Sequence, residues 1–421
     1  MIATIPAPGG FKRIQNNAEI YVLPADKFKT FSVSFHFFTE LHENTVTKNA
    51  LFPFLLKLGS EKYPDMLSVN QKLQELYGGV FDVRVAKRGD LHLLSFVFEF
   101  LRPEYSDAEQ MENCLGFMKE MLTNPLVKDG GFSEEFVNRE KENLTDYING
   151  IINDKREYTN LRLVEEMFRG DSYALYEYGK VADLEHISAK DLYESYREVM
   201  KTAPLKIFIS GNLEEERFFD TFSALLEEER KPLPQNAIYD KNLSVPNKVE
   251  ENENLVQGKF ALGFQTGIAP DAEDYYALNL LNSVFGSGPH SKLFMNVREK
   301  MSLCYYVYSR LNRLKGTMQV GIGTDKENFK KAYDAILEQL ELCKKGEISD
   351  EEIAFSKKFI VGILKQTADN QHNLADFYLT GILAGRPLSP EEYIEKIEAL
   401  TKEDLVRVAQ DITLQTEYYL S

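Results

Sequence analysis

The hydrophobic and polar positions of the chain form one pattern that occurs twice. The segment LQELYGGVFDVRVAKRGDLHLLSFVFEF, from Leu73, has the same layout as VREKMSLCYYVYSRLNRLKGTMQVGIGT, from Val297. Each predicts a helix end, a turn, an aromatic-rich strand, a charged turn and a second strand with alternating apolar residues. The two halves therefore share at least one strand–strand unit.

Both copies predict a helix after the second strand. Ser106 with Glu109, and Thr324 with Glu327, have the spacing of a capping box, in which a hydroxyl and a carboxylate satisfy backbone donors at a helix start. Behind the second box, apolar residues follow helical spacing, and Gly346 predicts the helix end. Those residues are Phe329, Ala332, Ile336, Leu340 and Cys343.

Two further pairs of segments follow in the same order. FSEEFVNREKENL at Phe132 parallels ISDEEIAFSKKFI at Ile348, and each opens a long helical segment. ISAKDLYESYREVMKTAPLKIFIS at Ile187 parallels LTKEDLVRVAQDITLQTEYYLS at Leu400, and each predicts a capped helix that leads into a strand. Four pairs in one order indicate an internal duplication.

The predicted fold class is α+β, with two homologous domains joined by an extended linker. Strands followed by helical runs within each half favour a mostly antiparallel sheet with helices packed on one face. The proline- and charge-rich stretch between the halves has little periodicity, as a linker would. We predict an N-terminal domain at 1–228, a linker at 229–251 and a C-terminal domain at 252–421.

Charge and apolar content narrow the function classes. A formal net charge of −17 and a pI near 5.0 argue against binding to nucleic acid or to an anionic membrane surface. The longest apolar run, ALFPFLL, is much shorter than a membrane span. The three cysteines, Cys114, Cys304 and Cys343, are odd in number and far apart, which favours a reducing compartment. We expect a cytoplasmic protein.

The duplicated α+β halves resemble the pitrilysin/insulinase metallopeptidase family, in particular its processing-peptidase branch. The most specific likeness is FGSGPHSKLFMNVREKMSLCYYVYS in the second half, which resembles the family's glycine-rich turn and the helix and strand start that follow it. The resemblance implies substrate-binding roles for Arg298 and Tyr305. It implies a supporting loop formed by Gly286, Gly288 and Ser291. The competing interpretation is that Arg298 belongs to a solvated helix face and Tyr305 to the core.

The catalytic centre that the resemblance implies is absent from the first half. The family carries His-x-x-Glu-His on a helix, where two histidines bind zinc and the glutamate activates water. The corresponding segment here is NALFPFLLKLGS, and Phe52, Pro53, Phe54 and Leu55 can neither bind zinc nor move a proton. On a later helix, Glu140 matches the first of the family's paired glutamates, and Tyr147 replaces the ligand-forming second one.

A different metal site remains an alternative. His36, Glu40 and His42 occupy alternate positions, so in a continuous strand their side chains would point to one side. The competing interpretation is that His36 is a satisfied polar residue next to the core. His92, His186, His290 and His372 show no metal-binding spacing, and GSGPH lacks the Gly-Lys-Ser/Thr ending of a phosphate loop.

The resemblance implies a non-catalytic, substrate-binding subunit of a heterodimeric zinc peptidase. The expected partners are a peptide and a related chain that carries His-x-x-Glu-His and the zinc, with no cofactor in this chain. One alternative is a structural scaffold built on an inactive peptidase fold. Another is a homodimeric peptidase with an unorthodox metal site, and the isolated chain could form a homodimer in either case.

Overall fold

The structure is a computed structural model that describes residues 3–7, 10–15, 18–23, 26–211, 213–241, 243–253 and 255–421. The strands are β1 (Ala3–Ala7), β2 (Gly10–Gln15), β3 (Ala18–Leu23), β4 (Thr30–Glu40), β5 (Val80–Arg88), β6 (Leu91–Leu101), β7 (Val127–Lys128), β8 (Gly131–Phe132), β9 (Leu205–Ser210), β10 (Asn247–Glu251), β11 (Gly258–Gln265), β12 (Tyr306–Asn312), β13 (Thr317–Thr324) and β14 (Thr413–Leu420). The α-helices are α1 (Val46–Leu58), α2 (Met66–Glu75), α3 (Gln110–Thr123), α4 (Glu134–Gly150), α5 (Lys155–Met167), α6 (Val181–Leu184), α7 (Ala189–Thr202), α8 (Glu215–Glu227), α9 (Tyr275–Phe285), α10 (Phe329–Lys344), α11 (Asp350–Ala368), α12 (Gln371–Leu383), α13 (Pro390–Ala399) and α14 (Lys402–Ala409). A π-helical segment spans Leu293–Lys300.

The chain divides into two units. Unit 1 comprises Met1–Gly150 and Leu175–Gln235, and unit 2 comprises Ile151–Ala174 and Asn236–Ser421. The predicted domain limits at 228 and 252 stay a prediction. The units are divided differently, because residues 151–174 group with unit 2 and the predicted linker is shared between the units after Gln235. None of the helices in the described residues combines the length and the apolar character needed to cross a membrane.

The two sheets confirm the predicted fold class. The seven-stranded sheet of unit 1 has the order β1-β2-β3-β9-β4-β6-β5, and the five-stranded sheet of unit 2 has the order β10-β14-β11-β13-β12. In each, the first pair of the shared five-strand core is parallel, β3 with β9 and β10 with β14. The other pairs of this core are antiparallel. The equal order and equal strand directions are what a duplication produces.

The hydrophobic core of unit 1 lies on one face of its sheet. Alternate residues of β4, from Phe31 to Phe37, pack with side chains of α1, α3, α7 and α8. The residues between them, Ser32, Ser34 and His36, point to the opposite face because side chains alternate along a strand. The position of His36 in the fold is therefore set by the period of the strand.

In unit 2 the hydrophobic core also lies on one face of the sheet, and a helix packs on the other face. Phe260, Leu262 and Phe264 of β11 belong to the core formed with α9, α10 and α11, whereas Ala261 packs with Leu163 of α5. Gly263 lies under α5, where an added Cβ would be 2.6 Å from the Met167 sulfur. Helix α5 thus follows α4 in sequence but packs on the sheet of unit 2.

The predicted linker is only partly irregular. The described residues between 229 and 246 contain no helix or strand, whereas Asn247–Glu251 forms β10, which pairs in parallel with β14 at one end of the sheet. Residue 242 of this segment lies outside the described residues.

The two predicted capping boxes do not form. Ser106 donates its hydroxyl to carbonyls of Arg102 and Pro103, and α3 starts four residues later. Thr324 is still in β13 and donates to the Leu303 carbonyl, and a 3₁₀ turn separates it from α10. In both copies a tight turn stands between the hydroxyl and the helix, so the spacing that suggested a cap belongs to the turn.

Candidate functional site

The glycine-rich turn of unit 2 fixes the start of the π-helical segment. The Gly286 carbonyl accepts the Ser309 amide of β12 at 3.0 Å, and an added Cβ on Gly286 would lie 2.5 Å from the Ser309 hydroxyl oxygen. Gly288 has a φ of 119°, which favours glycine. Ser291 donates its hydroxyl to the Gly288 carbonyl at 2.7 Å. The three predicted loop residues therefore form one turn against the edge strand β12.

The segment that carries Arg298 is wound as a π-helix. The Met301 amide donates to the Asn296 carbonyl, five residues back, at 3.0 Å. Such segments are rare and are frequent at functional sites. Two side-chain contacts hold it in place: Asn296 donates to Gln339 of α10 at 2.6 Å, and buried Lys292 pairs with Glu352 of α11 at 2.9 Å.

Arg298 is oriented by an aromatic ring and remains partly exposed. Its guanidinium carbon lies 4.6 Å from the centre of the Phe294 ring, one helical turn earlier, and its side chain is 39% exposed. Its Nε atom is 3.6 Å from a carboxylate oxygen of Glu299, which is too far for a hydrogen bond. None of the described residues accepts a hydrogen bond from the Arg298 guanidinium, so its donors are available to a ligand.

Tyr305 lies at the entry to β12, beyond a turn that folds back on the π-helical segment. The turn is closed by the Leu303 amide, which donates to the Val297 carbonyl at 3.1 Å. Tyr305 is 52% exposed, and its hydroxyl donates to both carboxylate oxygens of Asp325, at 3.2 and 3.3 Å. This hydrogen bond and the Asp325 charge raise the pKa of Tyr305.

Cys304, which directly precedes Tyr305, is partly buried. Burial raises the pKa of its thiol to about 11, and the positive charge of Arg298 opposes this rise. Because the Leu303 amide donates to the Val297 carbonyl, the chain between Arg298 and Tyr305 forms one turn before β12.

Sequence reasoning missed Asp325 and Phe294. Asp325 directly follows β13, and the pairing of Tyr306 with Gly323 brings this end of β13 next to Tyr305. A strand register derived from the duplicated pattern could have identified it. Phe294 precedes Arg298 by one helical turn, so the spacing alone places the two on one face.

In unit 1, the positions that correspond to the zinc helix are part of the core. Phe52 and Leu55 of α1 are buried, Pro53 is buried beside them, and Phe54 packs against the same cluster. The Phe52 ring lies 6.0 Å from that of Tyr196. These residues do not fit a zinc ion, because none offers a nitrogen, oxygen or sulfur side-chain ligand.

The carboxylate of Glu140 on α4 is hydrogen-bonded to a neighbouring side chain. Asn143 donates to its carboxylate at 2.9 Å, and burial raises its pKa against the opposing effects of Asn143, Arg139 and Lys57. Tyr147, at the position of the family's second glutamate, is exposed and packs its ring 4.8 Å from Tyr178.

The alternative metal cluster does not assemble. β4 ends at Glu40, so His42 lies outside the strand. Both ring nitrogens of His36 bond serine hydroxyls, Ser95 at 2.8 Å and Ser34 at 2.9 Å, and burial lowers its pKa to about 3. The described part of the chain contains no group of three or more His, Cys, Asp or Glu side chains that could hold a metal ion.

Comparison with known proteins decides the family. The chain is 32% identical over 404 residues to the protein named probable inactive metalloprotease YmfF of Bacillus subtilis, and the match covers 95% of each chain. The chain belongs to the peptidase M16 family. Residues 186–359 match the family profile described as the peptidase M16 inactive domain, and this range includes Arg298 and Tyr305.

Solved structures agree with the M16 assignment. The crystal structure of a conserved protein from Enterococcus faecalis V583 has a TM-score of 0.90 and 29% identity, and it covers 100% of this chain and 98% of that one. A protease from Helicobacter pylori has a TM-score of 0.79 at 15% identity, with coverage of 100% and 99%, and shows the fold alone. The predicted resemblance to the M16, or pitrilysin/insulinase, family is thus confirmed, and the processing-peptidase branch stays a prediction.

Proposed function

We propose that this M16 chain is a non-catalytic subunit that binds peptide through Arg298 and Tyr305, for a partner chain that carries the metal. One observation carries the proposal. The helix that would bind zinc is filled with core side chains, whereas the segment of Arg298 and Tyr305 keeps two exposed polar groups in fixed positions.

Arg298 supplies hydrogen-bond donors for peptide carbonyls. A guanidinium has several donors in a rigid plane and no acceptor, so it suits carbonyl oxygens whatever the side chains of the peptide. Packing on Phe294 restricts the arginine before the peptide arrives, which lowers the entropy lost on binding.

Tyr305 supplies an acceptor. Its hydroxyl has one proton, which is donated to Asp325, and the Gln257 side chain also hydrogen-bonds the hydroxyl, so one lone pair of the oxygen remains for a ligand. A peptide N–H is the matching group. Arg298 and Tyr305 together would bind a carbonyl and an N–H of an extended backbone, and this pairing fixes the direction of the peptide.

Bond cleavage is assigned to the partner. The expected partner is a related chain with His-x-x-Glu-His, and the zinc belongs to that chain. Holding a peptide in one direction and register contributes to catalysis by reducing the entropy lost on reaching the reactive geometry. In this proposal Arg298 and Tyr305 position the substrate and make no bonds to the reacting atoms.

The test is peptide cleavage by the mixed complex, which is this chain combined with the related chain that carries His-x-x-Glu-His. Replacing Arg298 by alanine removes a charged donor, a contact worth about 1.5–3 kcal/mol, so kcat/KM should fall by about 10- to 100-fold with assembly unchanged. The matched control is Arg310→Ala, since Arg310 is also exposed and lies 5.9 Å from the ring of Tyr308 in the same unit. Equal cleavage by the Arg298→Ala complex would reject the substrate-binding role and favour a structural scaffold.

A further inference from the structure

Unit 2 contains a cavity of about 420 Å³ that the proposed peptide-binding role does not use. It lies among α9, α11, α12 and α13 and is bordered by the turn after β12. Small-molecule sites have volumes of about 300–1,000 Å³ and often lie between helices. The cavity is large enough for a ligand of several non-hydrogen atoms.

Part of the cavity wall is apolar. Phe359, Ile360 and Leu364 of α11 and Phe377 of α12 face it. Ile360 and Leu364 are also part of the hydrophobic core of unit 2, so this wall is a continuation of a packed layer. It would bind an aliphatic or aromatic group by removing that group from water.

The other side carries Arg313, which forms no ion pair with any residue that the structure describes. The Arg313 guanidinium lies 4.2 Å from the centre of the Tyr275 ring, and its Nε donates to the Pro270 carbonyl at 2.9 Å. Its Nη2 is buried and has no hydrogen-bond partner among the described residues. Two other charged residues line the cavity, Arg386, which differs from Arg313 because it pairs with Glu273, and Asp376 of α12.

A second donor lies on the same cavity. Tyr393 accepts a hydrogen bond from the Asn279 side-chain amide at 2.7 Å, and no described residue accepts the Tyr393 proton. Both Asn279 and Tyr393 line the cavity. A buried donor without an acceptor is unfavourable, and a carboxylate can accept from a guanidinium and a hydroxyl together.

We propose that this cavity binds a carboxylate attached to a small apolar group. Arg313 and Tyr393 would donate to the carboxylate, and the wall of α11 and α12 would contact the apolar group. The same chemistry is present in a free aliphatic acid and in the C-terminal residue of a peptide.

The test is isothermal titration calorimetry on the full chain with two acids, hexanoate and N-acetyl-leucine, and their neutral amides, hexanamide and N-acetyl-leucinamide. At least one acid should bind, and it should bind about tenfold more tightly than its amide. Binding by N-acetyl-leucine alone would indicate a peptide C-terminus, and binding by hexanoate alone would indicate a free acid. Equal affinity of each acid and its amide, or no binding of any probe, would overturn the proposal.

Two variants and a control assign binding to the cavity. Arg313→Gln should remove the preference for the acid. Thr380→Phe, on the α12 side of the cavity, should abolish binding by filling the space, and it leaves Arg313 in place. Arg310→Gln, outside the cavity, should bind as the unchanged chain does. Unaltered acid binding by folded Thr380→Phe would show that the acid binds elsewhere.

Discussion

The proposed role of the Tyr305 hydroxyl as a hydrogen-bond acceptor predicts how the peptide backbone is bound. The variant Tyr305→Phe removes the hydroxyl and keeps the ring. Because the side chain is 52% exposed and its hydroxyl bonds the side chains of Asp325, at 3.2 and 3.3 Å, and Gln257, the fold should tolerate the change. A hydrogen bond between uncharged partners contributes about 0.5–1.5 kcal/mol, so the Kd of the peptide should rise about two- to tenfold.

The assay is fluorescence anisotropy of a labelled peptide bound to the mixed complex. The glutamate of the partner's His-x-x-Glu-His is replaced by glutamine so that the peptide stays intact. A set of peptides in which one backbone N–H at a time is replaced by an ester oxygen then locates the donor to Tyr305. One position should lose affinity in the unchanged complex and lose none in the Tyr305→Phe complex.

The matched control is Tyr333→Phe, which removes another hydroxyl of unit 2 that donates to a carboxylate, Glu417, at 2.9 Å. It should leave peptide affinity unchanged. Asp325→Asn keeps an acceptor for the Tyr305 proton and should weaken binding less than Tyr305→Phe does. Equal ester penalties in the unchanged and Tyr305→Phe complexes at every position would refute the acceptor role.

Three further predictions concern stability and reactivity. Gly131→Ala should destabilise the chain by about 1–3 kcal/mol in urea unfolding, because its Cβ would lie 2.9 Å from backbone atoms of Ala189 and Lys190, whereas Gly116→Ala in α3 meets nothing within 4 Å and should be neutral or stabilising. All three cysteine thiols should react with Ellman's reagent in denaturant. In the native state they should react slowly, since burial raises the pKa of Cys114 and Cys343 to about 12 and of Cys304 to about 11. Fewer than three reactive thiols in denaturant would contradict the prediction that all three are free. Burial lowers the pKa of His36 to about 3 and of His92 to about 4, so the unfolded chain binds more protons below its ordinary histidine pKa of about 6.5. Stability should therefore fall between pH 6.5 and 4 by up to about 1.4 kcal/mol per pH unit for each histidine, and His92→Met should flatten that slope.

The duplicated pattern predicted the sheets well because strand alternation is a local property. The five shared strands keep one order and one set of directions in both units. Caps that directly precede a helix were also predictable: Ser188 with Asp191 and Thr401 with Asp404 form capping boxes at α7 and α14. At Ser106 and Thr324 the hydroxyl instead donates to a carbonyl earlier in the chain and a turn precedes the helix, and nothing in the local spacing distinguishes the two cases.

The position of α5 could not be predicted from its own sequence. It follows α4 directly, and its amphipathic pattern would suit either sheet. Its contacts decide the question: Tyr158 donates to Glu251 at 2.6 Å, Asn160 accepts from Tyr308 at 2.9 Å, and Leu163 packs on Ala261. These partners are 93 to 148 residues distant along the chain, and a periodicity analysis does not reach that far.

The candidate site was predictable where it depends on motif and not where it depends on strand register. The motif located Arg298 and Tyr305. It did not locate Asp325, which accepts the proton of the Tyr305 hydroxyl and follows the neighbouring strand β13. The alternative metal site depended on strand alternation, which was predicted to point His36, Glu40 and His42 to one side. That prediction extends only to Glu40, because β4 ends there and His42 lies outside the strand.

The most direct test of the central claim is peptidase activity and zinc content of the purified chain, alone and then mixed with a related chain that carries His-x-x-Glu-His from the same organism. The account predicts no activity and no stoichiometric zinc in this chain alone, and cleavage that appears or rises strongly on mixing. Cleavage with stoichiometric zinc in this chain alone would contradict it.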